Sequence, residues 1–218
     1  MARPKQPWIV RITHWVNVVL LAIMAGSGLR ILGAYPKLGP VGEEYGWYPL
    51  QGVEPPAVLT LGGWLAGARH WHFAFAWLFV ANALAYAAYL AASGEWRRRL
   101  FLPRRDLVNA AGTFLYYLRL RRAPPPQDGI YNGLQRLAYT GVLAIAPLLV
   151  LSGLAIYKPV QLPRLTALLG GYDAARVIHL LALLAIALFT LVHVVQVLLH
   201  PRTLVEMTAG GRAQEDVP

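Results

Sequence analysis

Four stretches of 20 or more residues with few charges run through this 218-residue chain, at about 12–32, 68–92, 134–157 and 174–199. A helix rises about 1.5 Å per residue, so about 20 residues cover the roughly 30 Å of hydrocarbon in a bilayer. Lipid offers no partner for backbone N–H and C=O groups, and a segment of this length satisfies them internally only as a helix. The expected fold is an all-α integral membrane protein, a four-transmembrane-helix bundle forming a single domain over 1–218. Composition agrees: 14% of residues are charged, where a soluble domain carries about a quarter.

The net charge of +10 would suit a nucleic-acid partner, but the basic residues cluster between the apolar stretches, which reads as membrane topology and excludes nucleic acid. The segment before the first span holds Arg3, Lys5 and Arg11; the second connection holds Arg97, Arg98, Arg99, Arg104, Arg105, Arg119, Arg121 and Arg122. The first connection sets only Lys37 against Glu43, Glu44 and Glu54, and the third has Lys158 and Arg164. Cationic loops stay on the cytoplasmic side, so both termini and the second connection are expected there and the other two connections outside. The first apolar stretch lacks a small-residue cleavage site after it and is long enough to remain as a span, so it is not expected to be a signal peptide. The outer connection, 33–67, carries Trp47, Tyr48 and Trp64 among five prolines and should lie along the outer interface. Residues 100–122 mix apolar and basic side chains at near-helical spacing, which predicts an amphipathic helix on the inner leaflet. The polar tail, 201–218, is expected to be loosely ordered.

There is no cysteine, which removes disulfides, iron–sulfur clusters and thioether-linked haem. A redox metal would need histidine, and the chain has six. His179 and His193 lie fourteen residues apart in the fourth stretch. That is close to four turns, so both rings share a stripe about 21 Å long. A titratable ring inside hydrocarbon is costly and marks a functional site by default. With the topology above, His14 and His193 occupy an inner layer, and His72 (or His70) and His179 an outer one. Each layer then holds two imidazoles on different helices, the arrangement that clamps a haem iron from both sides for electron transfer. A lone histidine often only hydrogen-bonds between helices, and His200 at the inner boundary fits that bland role. His70 and His72 differ by about 200° around a helix, so only one faces the bundle; His72, further inside the span, is the expected ligand. Gly26, Ser27, Gly28, Gly141 and Gly153 leave room for a flat group, as they would for tight helix packing. Arg30 and Arg136 lie deep enough in their runs to meet haem propionates, more so than Arg11, Arg69 or Arg176.

These histidines and their neighbours resemble the bacterial cytochrome b-561 family. The matching elements are Arg11-Ile12-Thr13-His14-Trp15-Val16-Asn17, Arg69-His70-Trp71-His72-Phe73, Val177-Ile178-His179 and Val192-His193-Val194, and the likeness runs from about Trp8 to Arg212. The resemblance implies two haems b, ligated by His14, His72, His179 and His193, and a quinone as exchangeable electron partner in the bacterial inner membrane. It also implies a periplasmic redox subunit, for example a molybdenum enzyme, docked on the long outer connection; a homodimer stays open. The expected role is an electron-transfer subunit rather than a stand-alone enzyme. A quinone-linked enzyme acting on a small anion such as superoxide ranks second, because the acidic outer connection opposes anion steering. A transporter with a histidine proton relay ranks third, since Pro147 is the one candidate helix break.

Overall fold

Apolar composition and length dictate the main elements. A computed structural model of the chain describes residues 4–44, 53–127 and 129–211. Its long helices are α1 (Trp8–Ala34), α2 (Leu65–Ser93), α5 (Gly133–Tyr157) and α7 (Tyr172–Leu199); four short ones are α3 (Trp96–Arg99), α4 (Pro103–Tyr117), α6 (Pro163–Leu168) and α8 (Arg202–Ala209). No strand occurs among the described residues. The long helices have 27, 29, 25 and 28 residues, which makes each about 38 to 44 Å long and able to cross a bilayer with turns to spare. Each starts two to four residues before its expected apolar span or at its edge, because the helix continues through the headgroup depth where polar residues are tolerated. Pro147 does not interrupt α5, which runs on through it.

The outward faces identify the surroundings. Trp77, Leu84, Leu188, Leu191 and Leu198 are each more than 60% exposed. A row of large apolar side chains this long is not left to water. The protein is a multi-pass membrane protein, and these faces meet acyl chains.

By internal contacts the chain divides into two compact units, each drawing a segment from all four long helices. The unit made of 14–84 and 146–185 has a core of small residues: Ser27, Ala68, Ser152, Ala155 and Ala175 have no exposed surface. Without a hydrophobic driving force between helices in lipid, such residues let backbones approach until dispersion and interhelical hydrogen bonds hold them. Leu38 and Leu180 close this unit with Leu32 and Val177.

The other unit, 1–13, 85–145 and 186–218, is held by buried charge. Arg99 donates to Glu95 Oε2 at 3.0 Å, Gln6 Oε1 at 2.9 Å, the Tyr131 hydroxyl at 3.1 Å and the Lys5 carbonyl at 2.9 Å. Asp106 accepts from Arg105, from Arg136 Nη1 at 2.7 Å and from the Leu102 amide at 2.8 Å, tying the start of α4 to α5. Burial alone would raise the Asp106 carboxyl, but the hydrogen bonds from Arg105, Leu102 and Arg136 outweigh it and hold it down to about 2. The amphipathic segment expected over 100–122 contains α4. The tail departs from expectation. Residues 202–209 form a helix where a loose segment was expected, because Glu206 pairs with Lys5 at 2.7 Å, the Gln6 amide donates to the Gly210 carbonyl at 2.8 Å, and Arg11 donates to Thr208. Residues 45–52, with Trp47 and Tyr48 of the outer connection, and residues 212–218 of the tail lie outside the described residues.

Candidate functional site

The small-residue unit brings together two of the singled-out histidines. The His72 ring on α2 and the His179 ring on α7 have centroids 6.3 Å apart, at 66° to one another. Each is held in the same way from a different helix. Ser27 Oγ on α1 lies 3.0 Å from His72 Nδ1, and Ser152 Oγ on α5 lies 3.0 Å from His179 Nδ1. Each serine also donates to the carbonyl four residues back, Ser27 to Ile23 at 2.7 Å and Ser152 to Leu148 at 2.6 Å. A hydroxyl has one proton. With that proton committed to the backbone, each serine accepts from its histidine, so both rings carry their N–H on Nδ1. Nε2 of each ring is then the unprotonated nitrogen, the one able to bind a metal.

The residue after each serine is glycine, and both glycines leave space for the ring. A Cβ on Gly28 would stand 3.3 Å from His72 Cε1, and one on Gly153 would stand 3.2 Å from His179 Cε1. Two Ser-Gly steps on two helices therefore cradle two imidazoles alike. The observed 6.3 Å matches a metal taken between the rings: two bonds of about 2 Å, each extended by about 1 Å to the ring centre, span about 6 Å. Among the described residues no group of three or more His, Asp or Glu side chains gathers to hold a metal ion by itself. The pair suits an iron whose other ligands come from a macrocycle, and the residues fit a haem.

His70 is exposed, as is His200. His14 on α1 is half-buried with Trp15 edge-on at 5.2 Å, and His193 on α7 stacks on Phe189 at 5.7 Å and 12°. These two fall in different units. Arg30 is half-buried on α1, one turn from Ser27, and makes no hydrogen bond or ion pair among the described residues. Arg136 is buried against Asp106, so a propionate contact would be additional to that pair. Arg176 donates to the Tyr35 carbonyl at 2.9 Å and lies over its ring at 4.8 Å, while Arg69 lies over Phe73 at 5.6 Å.

Ser27 was legible only as a small residue, and Ser152 was not singled out at all; the role of either as a hydrogen-bond partner was not foreseen. The signal available was the Ser-Gly pair repeated in two of the four spans. Asn17 and Asn82 also meet, Asn82 Nδ2 donating to Asn17 Oδ1 at 2.9 Å between α1 and α2. Nothing in their spacing announces that bond.

A family model described as prokaryotic cytochrome b561 matches residues 5–210. YedZ1 of Azospira oryzae, a candidate protein-methionine-sulfoxide reductase subunit, is 40% identical over 209 residues, covering 94% of each chain.

Proposed function

The chain belongs to the prokaryotic cytochrome b561 family, and from that premise we propose that it carries electrons through two haems b between a membrane quinone and a redox subunit outside the inner membrane. Membrane electron transfer through haem b is the family's activity. What supports this reading most is the His72–His179 pair, two rings with Nδ1 tied to serine and centroids 6.3 Å apart. When bound, haem would supply reversible one-electron chemistry, and His72 and His179 are the residues that would hold it here.

The chain's own residues do the rest. His72 and His179 would hold one haem, His14 and His193 the other. Ser27 and Ser152 keep the first two rings from rotating and fix their tautomer. The apolar faces of the long helices exclude water, so charge placed inside must be matched. Arg30 suits a propionate, being a half-buried cation without a carboxylate partner among the described residues. The relative is described as a subunit of a protein-methionine-sulfoxide reductase, which supports an oxidoreductase as partner; a reductase of that kind docked outside would draw electrons from quinol through this chain. A molybdenum enzyme is one form that partner could take.

A reduced-minus-oxidised spectrum and haem quantification of the purified protein test this directly. Two haems b per chain are expected. His179→Ala should remove one and leave the other, and His193→Ala should remove the second. A wild-type protein without a haem b band, or a His179→Ala variant with full haem content, ends the assignment.

A further inference from the structure

The C-terminal end of α4 stops in an unusual way. Arg119 has φ 60°, in the left-handed region that favours glycine. The Leu120 amide donates to the Leu115 carbonyl and the Arg119 amide to the Tyr116 carbonyl, both at 2.9 Å. Those are the paired bonds of a Schellman stop, whose left-handed residue is usually glycine. An arginine there carries backbone strain that glycine would not, and strain of this kind persists where side-chain position matters.

The position in question is a cavity of about 460 Å³ lined by Tyr116, Tyr117, Arg119, Arg121 and Arg122. None of its lining residues is acidic. Among the described residues, none of the three guanidiniums has an ion pair or a side-chain hydrogen bond. Arg121 is folded back onto α4, where a Cβ on Gly112 would stand 2.6 Å from its Nη1. Three cations thus share one concavity without a counter-charge among the described residues. Beside it, Phe114, Leu115, Leu118 and Leu120 are 52%, 42%, 52% and 74% exposed. Such an apolar flank suits acyl chains better than water. The ligand that fits both parts is anionic at one end and apolar at the other.

We propose that this cavity binds the phosphate headgroup of an anionic phospholipid, with its acyl chains along the apolar flank. Arg119, Arg121 and Arg122 meet the phosphate oxygens, for which guanidinium has matching donor geometry. Tyr116 and Tyr117 sit at the headgroup depth that phenols favour. The site rests on the membrane-spanning reading of the long helices and is independent of the haem assignment.

Native mass spectrometry of the full-length protein from detergent tests it, with added phosphatidylglycerol, cardiolipin, phosphatidylcholine or inorganic phosphate. Retained adducts are expected with the two anionic lipids and not with phosphatidylcholine. Arg119→Gly relieves the backbone strain and so should leave the lipid-free melting temperature unchanged or higher, while adduct occupancy falls about fivefold, the loss expected per arginine removed. Arg121→Gln with Arg122→Gln should reduce it further. Equal retention of phosphatidylcholine, or anionic adducts insensitive to both variants, overturns the proposal. So does inorganic phosphate binding as well as lipid does, which would make this a free-anion site.

Discussion

The serine behind each imidazole is where single residues decide most. Ser27 and Ser152 are fully buried, each donating to its own helix and accepting from a histidine. Losing such an outer hydrogen bond usually costs about 10- to 100-fold in affinity for the bound group. Accepting from Nδ1–H also raises the basicity of Nε2, which favours the oxidised metal. If His72 and His179 hold a haem as proposed, Ser27→Ala should leave the protein folded, weaken retention of that haem and raise its midpoint potential. Ser27→Thr keeps the hydroxyl and should restore the potential. Redox titration followed at the haem band makes the check; a potential unmoved by Ser27→Ala would mean that the hydroxyl only packs. The histidines were visible from their spacing in apolar runs. The serines were not, because a buried hydroxyl and a packing residue read alike in one dimension. Only the approach of α1 to α2 and of α5 to α7 shows which one is meant.

Among elements, α4 is anchored by one carboxylate. Asp106 is 1% exposed and Arg136 is 5% exposed, so the pair holds α4 on α5 inside the fold and not at its surface. Asp106→Asn keeps the shape and removes the carboxylate that pairs with Arg136 at 2.7 Å, so the variant should unfold at a lower temperature than the wild type near neutral pH. The pH dependence follows from the lowered carboxyl. Its folded value of about 2 lies below the ordinary 3.8, so its contribution, roughly 2 kcal/mol, is fully present above the unfolded value and is lost as pH falls through the folded one. Thermal unfolding in detergent should show the wild type losing more stability than Asp106→Asn between about pH 4 and pH 2. If both curves run parallel in that window, Asp106 is not the group that titrates. The helix itself was foreseeable from its amphipathic spacing. The anchor was not, since Asp106 and Arg136 are 30 residues apart on different elements. Nor was α8, whose order comes from Lys5, Gln6 and Arg11 at the far end of the chain.

For the whole molecule, the strongest statement available from sequence was the count of spans. Length and hydropathy suffice for that in lipid, where backbone groups have no alternative partner. Four crossings place both termini on one side by geometry alone; which side is a matter of charge. The second connection carries eight arginines and the first only Lys37 among three glutamates, and from that charge balance we propose that the second connection and both termini face the cytoplasm. The absence of cysteine makes this directly measurable, because any introduced thiol is the single labelling site. Val41 and Val160 are 98% and 83% exposed in the first and third connections, and Ala123 and Val205 lie exposed in the second connection and in α8. Single cysteines at Val41 and Val160 should react with a membrane-impermeant maleimide in intact spheroplasts, and those at Ala123 and Val205 only after the membrane is opened. Labelling of all four from outside would mean a broken membrane seal. Labelling of Ala123→Cys and Val205→Cys in place of the other two would invert the protein. The partner oxidoreductase would then have to be cytoplasmic, and the ends of the proposed electron path would exchange.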